Sequence, residues 1–490
     1  MLAVMALEAA GALGTSDQPM REVDAGEILA KVEAGQPVEY DHVVVRGDLD
    51  LSSERLQKNV TSPISINDSV FSGRVSFNGT IFEKQVDLSG SNFTRDAYFR
   101  GATFSSNVDF SLATFIEDVD FWRATFIGYA DFSLATFSSN VYFSSATFIE
   151  DVDFWRTTFI GYADFSEATF GGNANFGWTT FSSNAYFTVA TFSGDANFWE
   201  PTFSGDTYFG GAGFTGYAYF TLATFTGYVH FCGATFRGNS SFEDAEFNGI
   251  TEFGDARFEN DTSFYRILFK RPAYFENCSI ESLNLTKTEY SRLHLHWDGI
   301  KSLHFDESTY LALIKNYYSL GWYDDANDCY YDYRNAVRRS WQDASSPGFA
   351  ARFSSLLDRL IDFGEWILYG YGVRPSFPIA WSAAIILAFG LFFWKKRCLR
   401  KIITEERIED ARDGSDEVLV QTKARKAPIN FLDPFLFSLF TFTSGFTAFL
   451  HPAVEYKLER CLRWAIAERL LGPFLLALVI TTISKTYLIR

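Results

Sequence analysis

The sequence predicts a mostly β N-terminal half, a four-sided β-helical solenoid of eleven-residue units, followed by an α-helical linker and an α-helical transmembrane domain. Three observations predict it. Phe occurs 53 times in 490 residues and recurs at alternating steps of six and five through the first half. Near Ser308 the apolar period becomes that of a helix. Uncharged apolar runs then close the chain, the first from Phe377 to Trp394.

The repeat comes first, because it fixes the reading of everything else. Phe stands at 93, 99, 104, 110, 115, 121, 126, 132 and 137, and the series runs on to Phe275. The unit is typified by the eleven residues from Ala102 to Leu112. Residues 113–145 recur almost unchanged from residue 146, which marks a duplicated three-unit block. Two positions before each Phe sits a small residue, such as Ala102, Val108 or Ala113. Alternate residues of a strand face the same way, so the small residue and the Phe point inward together. Thr, Ser, Asp and Asn beside them face water.

A chain that turns every five residues and stacks on itself is a β-solenoid. Four faces give 22 residues per turn. The extra residue of every second step is Asn107, Asp118, Tyr129, Asn140, Asp151, Tyr162, Asn173, Asn184, Asp195 or Asp206. Gly precedes it at 128, 161, 172, 194 and 205. Both residue types tolerate positive φ, so wider corners with positive φ are expected there. Asp109, Asp120, Asp131, Asp153 and Asp164 are expected to form one outward column. It would attract cations; a solvated face is the plainer reading.

These A-T-F and A-D-F steps resemble the pentapeptide-repeat family in its Phe-centred variant, over residues 69–285. The eleventh residue departs from the strict five-residue repeat. The resemblance implies a right-handed quadrilateral β-helix of nine or ten turns, a rod of roughly 45 Å. Residues 21–68 read as an N-terminal cap, and the repeat decays through Ile280, Leu283 and Leu285. Residues 1–20 read as a leader or the remnant of a secretory signal, with a disordered or helical terminus as the alternative.

Residues 286–375 read as the helical linker. Tyr310, Leu313, Tyr317 and Leu320 share one face, and Gly321 ends that helix. Ala326, Tyr330, Tyr333, Val337 and Trp341 form a second stripe, broken at Pro347-Gly348. A third helix is expected over 349–368. Aromatic stripes of this spacing are core rather than ligand sites.

Residues 376–490 form the membrane domain, with a helix over 377–394, a pore-like segment over 433–450 and a helix over 466–486. Trp366, Tyr369, Tyr371 and Trp394 suit interfacial aromatics, and with Lys395, Lys396 and Arg397 they serve as membrane anchors. The segments Phe437–Thr443, Glu468–Gly472 and the residues to Arg490 resemble the pore of two-helix potassium-type channels. Gly370-Tyr-Gly-Val-Arg-Pro375 resembles the lead-in to the first membrane helix of pentapeptide-repeat proteins that carry such a pore. The resemblance implies that Thr441, Thr443, Ser444, Gly445, Phe446 and Thr447 line a pathway for a monovalent cation in a homotetramer. The family's T-x-G-Y-G-D is here Thr443-Ser-Gly-Phe-Thr-Ala448, which puts potassium selectivity in question.

Two arguments on sidedness conflict. The basic run from Lys395 to Lys401 places that loop in the cytoplasm and the solenoid outside. Sequons at Asn59, Asn67, Asn78, Asn92, Asn239, Asn260, Asn277 and Asn284 are usable only outside. Channel topology places both termini inside. Three full crossings, with residues 432–450 spanning, would reconcile the charge rule with the sequence. The balance falls on the outside placement.

The formal net charge of −18 repels nucleic acid, so none is expected as a partner. That charge also leaves a DNA-mimicking rod as a third reading, which the membrane tail opposes. Five scattered Cys predict neither a disulfide framework nor a zinc site. His294 and His296 would share a strand face, but no third ligand accompanies them, and no metal is expected. No phosphate-cradling loop, nucleophile elbow or HExxH occurs, so neither an enzyme nor a cofactor is expected. The expected partners are membrane lipid, copies of the chain, a monovalent cation and an unidentified protein ligand of the solenoid. Two functions compete: a cation channel with a solenoid sensor or scaffold, and a membrane-anchored binding or structural rod with a non-conducting channel domain.

Overall fold

The computed structural model describes residues 20–56, 59–340, 349–408, 420–444, 454–458 and 460–488. It divides into two compact units, Met1–Thr309 and Tyr310–Arg490.

The first unit is a parallel β-solenoid. Most of its strands are two residues long, and each pairs with the equivalent residues one turn later. Asn92 lies beside Thr114 and Thr114 beside Thr136, a spacing of 22. Four such ladders run along the rod, through Thr114, Val119, Thr125 and Ala130 in successive order around one turn. The first contains thirteen strands, one per turn, which makes about twelve turns rather than nine or ten. At ~4.8 Å per turn that is about 58 Å. The ladder begins earlier than the Phe repeat. Val43, Val44 and Val45 already pair with Arg21 to Val23 in the parallel register of the later turns. Val, Ile and Leu fill the inward positions there, so the residues expected as a cap contain the first turns. Helix α1 (Ala25–Glu33), capped by the Asp24 carboxylate, buries Ile28 and Val32 against those turns. At the other end Ile280 bridges Ile300, and Leu283 bridges Leu303.

The interior is four columns of Phe rings. Phe132, Phe154 and Phe176 stack at centroid distances of 5.0 and 4.8 Å. Neighbouring columns meet edge to face, as Phe143 meets Phe154 at 5.5 Å. Both geometries suit the ring quadrupole. Stacking fails at the ends: Phe77 meets Phe99, and Phe242 meets Phe264, nearly at right angles. At two positions where Thr replaces the inward Ala, its hydroxyl is satisfied across turns. Thr157 donates to the Phe132 carbonyl at 2.7 Å and Thr179 to that of Phe154 at 2.9 Å.

The corners differ from the expectation. Positive φ falls not at the Gly-Asn/Asp corners but at Leu112, Arg123, Leu134, Ser145 and their equivalents every eleven residues. A non-glycine residue there costs about 1–2 kcal/mol. Two hydrogen bonds hold the Leu112 corner: Ala113 N–H closes onto Phe110 O at 3.1 Å, and Leu112 N–H reaches Ser133 O in the next turn at 2.9 Å. Glycine at 128 and 172 answers a different need. A Cβ at Gly128 would stand 2.6 Å from the Ser106 carbonyl carbon, and one at Gly172 2.5 Å from that of Glu150. The turns approach too closely for a side chain. The Asn/Asp residue beside that position bridges turns. Asp151 Oδ1 accepts from Asn173 N–H at 2.7 Å, and Asn173 Oδ1 accepts from Asp195 N–H at 2.9 Å. Each link is worth about 1 kcal/mol.

The expected single Asp column is two. Asp109, Asp131 and Asp153 follow one ladder. Asp120 and Asp164 follow another, separated by Tyr142. Burial raises the Asp109 and Asp153 carboxyls above the usual range, and Asp131 between them adds repulsion.

In the second unit, α2 (Glu307–Leu320) ends at Gly321, which has φ of +75°. Helices α3 (Tyr323–Ser340) and α4 (Phe349–Tyr369) follow. Asp362 of α4 is buried and ties the region together: it accepts from Arg334 at 2.9 Å and from the Tyr371 hydroxyl at 3.0 Å. Gly370, Tyr371 and Gly372 all have positive φ and make the sharp corner into α5 (Ser376–Lys396). The polar loop after α5 holds strands: β1 (Leu399–Ile408) pairs antiparallel with β2 (Val420–Ala427) and with β3 (Val454–Leu458). Between β2 and β3 lies α6 (Asp433–Thr443), and α7 (Leu462–Ile483) closes the described fold. Contrary to the cysteine count, Cys398 and Cys461 are joined in a disulfide, 63 residues apart in sequence.

Candidate functional site

Two of the described helices, α5 and α7, are long and apolar enough to cross a membrane. Only 17% and 22% of their most apolar stretches are buried within the chain. Leu387, Leu391, Leu470 and Phe474 are exposed.

Helix α6 is wedged between them, and glycines make its seats. A Cβ at Gly390 of α5 would stand 2.4 Å from the Phe435 ring, and one at Gly472 of α7 1.9 Å from Phe442 O. Phe393 of α5 meets Phe437 of α6 edge to face at 5.2 Å. The start of α6 is pinned to the sheet. Asp433 accepts from Lys401 Nζ of β1 at 2.9 Å and from the Tyr456 hydroxyl of β3 at 2.9 Å. Disulfide, sheet and Asp433 therefore lie at one end, where α5 finishes and α7 begins.

Of the residues predicted to line a pore, Thr441, Thr443 and Ser444 come together at the C-terminal end of α6. Thr441 donates to Phe437 O at 2.8 Å, Thr443 to Leu439 O at 2.8 Å, and Ser444 to Thr441 O at 2.8 Å. Gly445, Phe446 and Thr447 lie outside the described residues. Beside this end opens a cavity of ≈ 560 Å³ lined by Phe440, Thr441, Ser444, Leu462, Ile466 and Arg469.

Glu468 falls inside the helix expected over 466–486. The structure places it inside α7, fully buried, accepting a hydrogen bond from Ser438 of α6. Its Oε2 finds no hydrogen-bond partner among the described residues. A buried carboxyl with one oxygen unpartnered is costly. The helix starts at Leu462, four residues before the expected 466.

Among the predicted anchors, Trp394 is exposed against Phe431, and Lys395, Lys396 and Arg397 are exposed beside it. Trp366 donates its indole N–H to the Tyr331 hydroxyl at 3.1 Å, and the Arg338 guanidinium lies 4.0 Å from its ring centre. Burial, with a hydrogen bond to Glu365, raises the Tyr369 phenol. These two residues are engaged within the linker helices.

In the solenoid, His294 lies against Tyr274 at 4.6 Å. Burial lowers the His294 pKa. A family profile described as pentapeptide repeats (9 copies) matches residues 88–133, 123–169, 154–200 and 231–279. These turns are pentapeptide repeats. The match ends before the second unit, so the pentapeptide-repeat solenoid is identified and the apolar helices are not. No curated protein and no solved structure matches the chain.

Proposed function

We propose that this chain is a multi-pass membrane protein whose second unit, in four copies, forms a cation pore, with the pentapeptide-repeat solenoid as its scaffold or sensor. One observation carries the reading: α6 starts at the β1–β2–β3 sheet, and the chain is back at that sheet in β3 before α7 begins. The start of α6 and β3 thus lie at one end. An 11-residue helix is about 16 Å long, half of a ~30 Å hydrocarbon layer. Such a segment is re-entrant, which argues against three full crossings. Irregular backbone at that depth is tolerated where it is enclosed by protein or lines water. The negative end of the α6 dipole favours a cation beside Thr443 and Ser444. A second reading, an anchored rod without conduction, draws support from Thr447 and Ala448 at positions where channels carry Gly and Asp.

Two crossings place the solenoid and the C-terminus on one side and the sheet on the other. Disulfides persist in oxidising compartments. The Cys398–Cys461 pair therefore favours the sheet outside the cell, with the free thiols of Cys232, Cys278 and Cys329 in the reducing cytoplasm. This opposes the placement drawn from the basic run. The decisive labels are Ile149→Cys on the solenoid and Lys396→Cys at the sheet. An impermeant maleimide added to intact cells is expected to modify only the second; the reverse pattern would return the solenoid to the outside.

The function itself is tested by native mass spectrometry of the detergent-purified chain, followed by potassium release from liposomes. A tetramer that releases the ion is expected. A monomer removes the pore, and a silent tetramer leaves the anchored rod.

A further inference from the structure

One group of side chains on the solenoid remains without a role. His230 and Glu252 are direct partners in one ladder, a turn apart. Cys232 stands two residues beyond His230, at the following corner. One ligand atom from each, an imidazole nitrogen, the Cys232 Sγ and a carboxylate oxygen, lies within 4.8 Å of the other two. Sγ and Glu252 Oε2 are 3.9 Å apart. Donors around a tetrahedral zinc stand about 3.3–3.7 Å apart, given metal–ligand bonds of 2.0–2.3 Å. Closing this trio on an ion asks for side-chain rotation, with the ladder left intact.

The surroundings are shaped for the group. Residues 210, 232 and 254 are equivalent, 22 apart, and the flanking two are Gly. A Cβ at Gly210 would stand 2.8 Å from His230 Cε1 and Nδ1, so the imidazole occupies space that a side chain would fill. A Cβ at Gly254 would stand 3.5 Å from Cys232 Sγ. Tyr228 donates its hydroxyl to Glu252 Oε2 at 2.5 Å, an outer contact that orients the carboxylate. All three candidate ligands are half-buried, so an ion has access.

We propose that His230, Cys232 and Glu252 bind one zinc-type divalent cation, which staples two successive turns and leaves a fourth coordination position for water. Nitrogen, sulfur and oxygen donors together suit zinc, and its cobalt analogue, better than magnesium or calcium.

The test uses the full chain, purified in detergent and stripped with a chelator. Titration with Co2+ is expected to saturate at one ion per chain with a thiolate-to-cobalt absorption band, and Zn2+ is expected to displace it. Cys232→Ser should abolish the band. Glu252→Gln, which keeps a partner for Tyr228, and His230→Gln should each weaken binding at least ten-fold. The spectrum reports sulfur ligation directly, so a loss of binding through misfolding is recognised by circular dichroism on the same sample. Absence of the band in the parent chain, its persistence in Cys232→Ser, or Zn2+ binding unchanged in the Glu252→Gln/His230→Gln double variant would each overturn the site.

Discussion

Replacing Phe154 by Ala is expected to destabilise the solenoid by about 3–5 kcal/mol, and replacing Phe77 by Ala clearly less. Both rings are fully buried, so lost transfer free energy does not separate them. Stacking does. Phe154 lies between Phe132 and Phe176 and meets Phe143 and Phe165 edge-on. Phe77 has Phe82 at 5.1 Å and Phe99 at 5.3 Å, both out of parallel. Removing a ring from mid-stack opens a cavity whose walls are held by their own ladders and cannot collapse. Each lost ring pair adds about 0.5–1.5 kcal/mol. Urea unfolding of the two full-length variants, followed by far-UV circular dichroism, measures the difference. Equal midpoints would mean that burial alone sets the cost.

The second large effect is expected in the second unit. Gly472→Ala should destabilise it by about 1–3 kcal/mol or more, abolish assembly and, with it, any ion release. The new methyl would meet a backbone oxygen of α6, which cannot swing aside as a side-chain tip would. Helix α6 must then leave α7, breaking the Ser438–Glu468 contact. Gly364→Ala in α4 is the control, because a Cβ there meets nothing within 4 Å. Exchange of Gly for Ala within a helix is itself favourable by about 1 kcal/mol. Size-exclusion chromatography and thermal aggregation in detergent compare the two. Equal tolerance of both variants would refute the close seat of α6 on Gly472.

The solenoid was legible because one physical rule repeats: a small inward residue, then Phe, with a turn every five or six residues. Where the rule changes its residues, legibility fell. The first turns use Val45 and Ile66 in place of Phe, with Val43 and Ile64 at the small-residue positions before them, and without the ring they did not announce themselves. The positive-φ corner was misplaced because Leu112, Arg123 and Trp178 carry no sign of the left-handed conformation that their inter-turn hydrogen bonds impose. Helices α2 to α5 followed their apolar period and their Gly and Pro breaks. Strands β1 to β3 did not, since charged, alternating segments such as Val420–Ala427 become strands here only by pairing with distant partners. The Cys398–Cys461 bond is equally non-local. The His230, Cys232 and Glu252 group was within reach. Once 22 is the turn, residues 230 and 252 must be neighbours, and only the separate inspection of each residue type hid it.

The duplicated block has a history written in its geometry. It begins at 113 and again at 146, so its length is 33 residues, one and a half turns. A tandem copy therefore lands half a revolution round the axis. The pair Trp122 and Arg123, with the guanidinium 4.5 Å from the ring centre, reappears as Trp155 and Arg156 at 4.6 Å. The first pair follows the ladder of Val119, the second that of Val152, on opposite sides of the rod. Recombination in odd multiples of eleven residues lengthens such a protein while printing each surface feature on both its sides. A one-sided ancestor becomes a two-sided descendant in a single genetic event, with no new residue invented.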